Sequence, residues 1–111
     1  MTEINIAPLP LDRETIINEG QIPAKLLDRV ERLIEKIPNL KSRSYWTAVG
    51  GEACCELNIG TKSFYLGLNG FYKQLRVVDY GDKNGFLNPV YKGPLTIASA
   101  DKAYKSVCQS V

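Results

Sequence analysis

Residues 44–80, SYWTAVGGEACCELNIGTKSFYLGLNGFYKQLRVVDY, decide the fold of this chain. Apolar and polar residues alternate along this segment, which is the period of a half-buried β-strand. Three turn signals interrupt the alternation, at Gly50-Gly51, Gly60-Thr61 and Asn69-Gly70. Asn-Gly is the strongest of them, because a type I′ turn requires positive φ at both central positions. The segment therefore predicts four antiparallel strands joined by tight hairpins.

The register of these hairpins predicts which side chains share a face. Two-residue turns give three register pairs: Val49–Glu52, Ile59–Lys62 and Leu68–Phe71. Because side chains alternate between faces, this register gathers the apolar residues on one side of the sheet. That face would hold Trp46, Ala48, Ala53, Cys55, Leu57, Ile59, Phe64, Leu66, Leu68, Phe71, Leu75 and Val77, with Lys73 as the single misfit. A wrong register at any turn would have mixed the two faces, so the agreement supports all three turns.

An amphipathic helix over residues 23–37 is the natural cover for the apolar face. Pro23 suits a first helical turn, and Pro38 stops the helix. Its apolar residues follow the helical period: Leu26, Leu27, Val30, Leu33, Ile34 and Ile37. A half-apolar sheet must bury one side, so we expect this stripe to pack on the sheet.

The flanking segments complete the expected architecture. Residues 1–22 are predicted to form an extended lead-in and a short helix, capped by Asp12. Residues 81–94 are rich in turn formers, and Phe86 to Ile97 would return along the sheet as an edge or bulged strand. Ser99 would cap a last helix, 99–111. Its apolar stripe consists of Ala103, Tyr104, Val107, Cys108 and Val111.

The sequence thus predicts one α+β domain spanning residues 1–111. Its antiparallel meander of four to five strands, residues 44–97, would be curved and covered on one face by the N-terminal helix. The length is that of a single domain. Because little follows the C-terminal stripe that could cover it, we expect the last helix to pair with its twin in a homodimer.

Composition argues against several function classes. The chain has no histidine, which excludes histidine-based acid–base catalysis and the Ser-His-Asp triad. Its glycines match neither a Walker loop nor a dinucleotide fingerprint. We therefore expect no enzymatic activity, no cofactor and no metal site. Three cysteines without a CxxC spacing or a recognisable signal peptide indicate free thiols, at least half-buried, in a reducing, cytoplasmic setting. No apolar run approaches the roughly 20 residues of a membrane helix.

The face opposite the apolar one carries the candidate site. Exposed aromatics beside lysines and arginines on a sheet form a stacking platform for unpaired bases. The candidate nucleic-acid-binding residues are Lys62, Tyr65, Tyr72, Lys73, Arg76, Tyr80, Lys83 and Lys92. The lysines and Arg76 would neutralise phosphates, and the tyrosines would stack. Three structural alternatives are open: the tyrosines pack under residues 81–94, under the C-terminal helix, or in a homodimer interface.

Charge is distributed unevenly along the chain. The net charge is +2, with −2 in residues 1–60 and +4 in residues 61–111. An anionic partner, single-stranded DNA or RNA, would therefore meet the C-terminal half. The near-neutral total and the acidic Glu52–Glu56 edge favour a rival function, a small non-enzymatic protein-binding module such as an inhibitor, immunity or anti-defence protein.

Residues 71–104, FYKQLRVVDYGDKNGFLNPVYKGPLTIASADKAY, resemble the positive cofactor four family of single-stranded-DNA-binding coactivators, and the plant Whirly proteins have a related layout. The resemblance lies in a strand ending in an aromatic, an acidic glycine-containing turn and a G-x-x-x-P-x-x-K-G segment, Gly85 to Gly93. It implies a curved antiparallel sheet that binds single strands in transcription, replication or repair, and a dimer built by C-terminal helices.

Carried over by position, Tyr80 matches the family's strand-end aromatic and Lys92 its motif lysine, while Lys73 and Arg76 lie where the family has basic strand residues. The chain departs from the family at Asn88 and Tyr91, where the family has basic residues. The turn also has an extra residue before the apolar strand end.

Overall fold

A computed structural model describes residues 9–111, so the first eight residues of the predicted lead-in lie outside the described part. It contains three helices: α1 Arg13–Asn18, α2 Ala24–Glu35 and α3 Ile97–Gln109. Its six strands are β1 Leu40–Arg43, β2 Thr47–Val49, β3 Glu52–Ile59, β4 Lys62–Asn69, β5 Gln74–Asp79 and β6 Tyr91–Pro94. All pairings in the sheet are antiparallel, so the α+β class predicted from the sequence is confirmed.

The sheet has the order β1-β3-β4-β5-β6, and β2 also pairs with β3. Strands β1 and β2 thus form one interrupted edge, and the sheet has six strands in residues 9–111 instead of four to five. The predicted sheet began at Ser44 and so missed β1, whose four residues follow Pro38 and the positive φ of Asn39. The opposite edge is β6, which agrees with the edge position predicted from Pro94.

The first two hairpin registers are confirmed, since Val49 pairs with Glu52 and Ile59 with Lys62. The third turn is longer than predicted: Leu68 pairs with Leu75, and residues 70–73 form a loop. The expected register is wrong by four residues, but four is even, so every later side chain keeps its face.

The longer loop removes two residues from the sheet. Phe71 is exposed and does not join the apolar face. Lys73, the misfit of the sequence pattern, adopts φ 52° in the loop. The loop packs its backbone on the α1–α2 connection, because a Cβ at Gly70 would overlap the carbonyl oxygen of Gly20. That close approach explains why Asn69-Gly70 does not form a tight hairpin.

Helices α2 and α3 lie side by side on the apolar face. The buried residues of α3, Ala100, Ala103 and Val107, join the same core as Val30 and the rest of the α2 stripe. The stripe expected to form a dimer is therefore largely covered within the chain, and the argument for a dimer from an uncovered stripe is wrong. Oligomeric state stays a prediction.

The start of α3 also differs from the expectation. Its N-cap is Thr96, whose Oγ1 accepts a hydrogen bond from the Ser99 backbone N–H at 3.2 Å. Ser99 is the third helical residue and is buried. The predicted Ser99 cap is therefore wrong, and the helix begins two residues earlier.

Glu31 ties α2 to the interrupted edge of the sheet. Its carboxylate accepts hydrogen bonds from Trp46 Nε1 and Arg43 Nη1. The Arg43 guanidinium also lies 5.6 Å from the centroid of the Trp46 ring. This network fixes the bend between β1 and β2 against the helix. Within residues 9–111, the helices lie on this side of the sheet and leave the other face uncovered.

Candidate functional site

The face of the sheet turned away from α2 and α3, called the outer face below, is ordered by strand register. One cross-strand row runs through Cys54, Gly67, Arg76 and Lys92. A second runs through Glu56, Tyr65 and Val78. Arg76 and Lys92 are therefore direct cross-strand neighbours on this face, as residues paired in an antiparallel sheet lie on the same side.

A buried acid at the start of β3 organises the centre of the outer face. Glu52 is only 5 % exposed. Its Oε1 accepts a hydrogen bond from the Tyr65 hydroxyl at 2.6 Å and from Arg76 Nε at 3.3 Å. A buried carboxylate is stable only when it is paired and hydrogen-bonded, and these two donors supply that pairing. Glu52 is therefore not the free acidic edge that the sequence indicated.

Gly67 makes room for this carboxylate. It lies two residues after Tyr65 in β4, and a Cβ at this position would overlap Glu52 Oε1 and come within 2.9 Å of Tyr65 Cε1. A glycine inside a strand often marks such a close approach.

Burial, with the Glu52 hydrogen bond second, raises the pKa of Tyr65 above its ordinary range. Tyr65 therefore remains a hydroxyl donor to Glu52 at neutral and moderately alkaline pH.

An aromatic group covers Arg76. Its guanidinium lies 5.6 Å from the Tyr65 ring centroid and 5.4 Å from that of Phe86. Phe86, from the turn-rich segment 81–90, also packs on Tyr65 with the ring centroids 5.4 Å apart. Tyr80 meets the Tyr65 ring edge-on at 6.2 Å. Burial is the largest cause of a raised pKa at Tyr80, followed by the charge of Glu56.

These residues surround an open depression of about 630 Å³ on the outer face, called the outer-face depression below. It is lined by Val49, Gly50, Glu52, Tyr65, Asn69, Tyr72, Gln74, Arg76, Tyr80 and Phe86. Glu52 and Tyr65 are buried, whereas Tyr72, Tyr80 and Phe86 are 74 %, 47 % and 52 % exposed. The depression thus has a hydrogen-bonded floor and an accessible aromatic rim.

Four of the eight candidate residues line the depression: Tyr65, Tyr72, Arg76 and Tyr80. Lys92 lies beside Arg76, Lys73 follows Tyr72 in the exposed loop, and Lys83 is exposed in segment 81–90. Lys62 does not join them. Its Nζ donates to the Ser110 carbonyl at 2.7 Å, at the end of α3, and lies 3.9 Å from Asp79 Oδ2.

Tyr65 does not have the role expected for it, which was to stack on a base. It is 7 % exposed, and Arg76 and Phe86 lie against its ring. It packs under segment 81–94, one of the open structural alternatives, and offers no free ring for a base.

Sequence reasoning missed three features of the depression. Phe86 was placed on a returning strand, and nothing in its local pattern indicates that it folds onto Tyr65. Asn69 was assigned only to a turn, and Gln74 received no role in the candidate site. The pairing of Glu52 had one available signal, Gly67 inside an otherwise apolar and aromatic strand.

The described part of the chain has few other features that could carry chemistry. Residues 9–111 contain no group of three or more His, Cys, Asp or Glu side chains that could hold a metal ion. Cys54 and Cys55 are buried free thiols and Cys108 is half-buried, as expected. No helix in the described range has the length and apolar character needed to cross a membrane.

Comparisons with protein-family models, curated proteins and solved structures gave no match.

Proposed function

We propose that the outer face binds single-stranded nucleic acid, DNA or RNA, with little sequence preference. The observation that carries this proposal is the accessible rim of Tyr72, Tyr80 and Phe86 around one depression, with basic residues on the adjoining strands. Aromatic rings stack on any base, at about 1–3 kcal/mol per base, and cations along the same groove neutralise the backbone.

The lysines near the depression are available for phosphates. Lys73, Lys83 and Lys92 are exposed, and none of them forms an ion pair within residues 9–111. Lys92 also lies directly across from Arg76, whose charge is paired with Glu52. Lys92 is therefore the cation of this cross-strand pair that is available to a phosphate.

The proposal also covers the compartment, the cellular process and the oligomeric state of the protein. Three free thiols suit a reducing, cytoplasmic compartment. The resemblance of residues 71–104 to the positive cofactor four family supports a task in transcription, replication or repair, and a homodimer.

Fluorescence anisotropy with a labelled single-stranded oligonucleotide, at two salt concentrations, tests the proposal. We expect binding at low salt that weakens steeply as salt rises, because phosphate contacts release counterions. A duplex of the same sequence is the matched control and should bind more weakly, since its bases are already stacked. Absence of binding at low salt contradicts the proposal.

A protein-binding module is the second candidate, and one observation favours it. Phe71 and Leu87 are large apolar side chains that are mostly exposed, in the loops at residues 70–73 and 81–90. Exposed apolar residues around a concave face are typical of protein interfaces. A stoichiometric protein partner that survives nuclease treatment in a pull-down from the host, together with no oligonucleotide binding, would favour this candidate.

A further inference from the structure

We propose that the outer-face depression accepts one unpaired base and prefers bases that carry an exocyclic amino group over uracil and thymine. This inference rests on the proposed function and names the chemistry by which the same site selects its ligand. The selecting group is the second carboxylate oxygen of Glu52.

Glu52 has one occupied and one unoccupied oxygen. Oε1 accepts both the Tyr65 hydroxyl and Arg76 Nε, whereas Oε2 has no hydrogen-bond partner within residues 9–111. In the same range, every fully buried polar side-chain atom has a partner, so Oε2 keeps some access to solvent. Because Glu52 is 95 % buried yet lines the depression, that access is at the depression. A nearly buried carboxylate oxygen without a donor strongly favours a ligand that brings one.

Two amide side chains line the same depression as this acceptor. Asn69 and Gln74 face each other across β4 and β5, and both line the depression. Asn69 Oδ1 accepts the Tyr72 backbone N–H at 2.8 Å, which leaves its NH₂ group as a donor. The Gln74 side chain has no hydrogen bond within the described range. The depression therefore offers one strong acceptor and amide donors in its lining, which also includes the exposed rings of Tyr72 and Tyr80.

This pattern matches the edge of an amino-bearing base. Cytosine presents its N4 amino donor next to the N3 acceptor, and adenine presents N6 next to N1 or N7. A carboxylate is a recognised acceptor for cytosine N4. Uracil and thymine lack this amino group. Their only donor on this edge, N3–H, lies between the O2 and O4 carbonyls, whose lone pairs would flank the Glu52 carboxylate unfavourably. The preference is one of chemical class at one position, which is compatible with tolerance along the rest of the strand.

The acceptor is held in place before a ligand arrives. Tyr65 and Arg76 fix Oε1, and Gly67 leaves the carboxylate its space. The geometry of Oε2 therefore does not depend on an induced rearrangement, and the preference should be present in the wild-type chain under all salt conditions that permit binding.

The test compares oligo(dC) with oligo(dU) of equal length by fluorescence anisotropy, since these bases differ at the groups in question and not in size. We expect oligo(dC) to bind about 3- to 10-fold more tightly, which is the range of one typical net hydrogen bond. Glu52→Gln, checked for folding by circular dichroism, should bring the ratio close to one. Glu56→Gln removes an exposed acid on the same strand and should raise both affinities while leaving the ratio unchanged.

The outcomes separate this inference from the proposed function. Equal affinities for oligo(dC) and oligo(dU), or a ratio unchanged in folded Glu52→Gln, overturn the inference and leave single-strand binding standing. No binding of either oligonucleotide overturns both. An arginine-containing peptide that binds more tightly than both oligonucleotides also overturns the inference, because Glu52 would then be receiving a guanidinium. If the Glu52 variant fails to fold, equal wild-type affinities for the two oligonucleotides still overturn the inference.

Discussion

Gly67 illustrates how one residue without a side chain supports the outer face. It allows the Glu52 carboxylate to lie across β4, where Tyr65 and Arg76 hold it. The buried charge is paired through Oε1, and the Arg76 guanidinium lies against the Tyr65 and Phe86 rings. The hydrogen-bonded floor of the depression depends on this arrangement.

Gly67→Ala should destabilise the fold by about 1–3 kcal/mol, because the added methyl group overlaps Glu52 and crowds Tyr65. Urea unfolding followed by circular dichroism measures this loss. In a Glu52→Ala background the same substitution should cost clearly less, since the overlapping carboxylate is gone. Equal costs in both backgrounds would contradict the assigned role of Gly67.

The buried thiol of Cys55 should lower the free energy of unfolding at alkaline pH. Burial is the main cause that raises the pKa of its thiol from 9.0 to about 12. As pH rises above 9, the unfolded chain loses this proton while the folded chain retains it, so the free energy of unfolding falls. The loss reaches about 2 kcal/mol at pH 10.5. The raised pKa of Tyr65 acts in the same direction.

Urea unfolding at pH 8 and pH 10.5 checks this expectation. Cys55→Ala should reduce the difference in unfolding free energy between the two pH values, and the part that remains belongs to tyrosines with a raised pKa, among them Tyr65 and Tyr80. A wild-type chain that is equally stable at both pH values contradicts it.

At the scale of elements, hydrogen bonds from Arg43 and Trp46 to Glu31 join the bend between β1 and β2 to α2. Trp46 packs in the core between them and donates its indole N–H to Glu31. Tyr80 lies on the other face of the sheet and is half exposed. The two aromatics therefore report separately on the core face and on the outer face.

Trp46→Ala should lower the free energy of unfolding by roughly 3–5 kcal/mol, the usual cost of truncating a buried aromatic residue. Tyr80→Ala is the control and should remain folded with a much smaller loss. Thermal unfolding of both variants measures the contrast. If Tyr80→Ala unfolds while Trp46→Ala remains intact, the two faces of the sheet have been assigned the wrong way round.

The alternation of side chains between the two faces of a strand, called strand parity below, explains how much of the fold could be predicted. Side chains alternate with a period of two, so the four-residue error at Asn69-Gly70 left Leu75 and Val77 on the core face and Arg76 on the outer face. The loop itself depends on a backbone contact with Gly20, far away in the sequence. Local turn chemistry carries no information on such contacts, and the same limit applies to the burial of the α3 stripe.

The candidate site was predictable in outline for the same reason. Parity placed Tyr65 and Arg76 on one face, and the structure adds Lys92 beside them. The position of Lys62 away from the depression could not be predicted, because its partner, the Ser110 carbonyl, lies 48 residues away in the sequence. The packing of Phe86 on Tyr65 could not be predicted either, because the path of segment 81–90 is set by tertiary packing and not by a periodic pattern.

At the scale of the whole molecule, stacking and charge should be separable. Tyr80→Ala should lose about 1–3 kcal/mol of single-strand affinity with little change in the salt dependence. Lys92→Ala should weaken binding across sequences and lower the slope of log affinity against log salt by about one unit. Anisotropy titrations over a range of salt concentrations measure both. A Tyr80 variant that changes the slope, or a Lys92 variant that does not, contradicts these roles.

Lys62→Ala is the matched control for Lys92→Ala, because Lys62 has the same charge but contacts Ser110 at the end of α3. It should leave the affinity close to that of the wild-type chain. A loss equal to that of Lys92→Ala would show that the cations act through total charge and not through the outer face.

The most direct test of the binding surface is an NMR titration of the ¹⁵N-labelled chain with a short single-stranded oligonucleotide. We predict that the largest amide shift changes occur in β5, β6 and the loop at residues 70–73, with the Arg76, Lys92 and Tyr72 amides among them. The amides of α2 and α3 should change little. Changes concentrated on the helices, or no saturable change at low salt, would contradict the account.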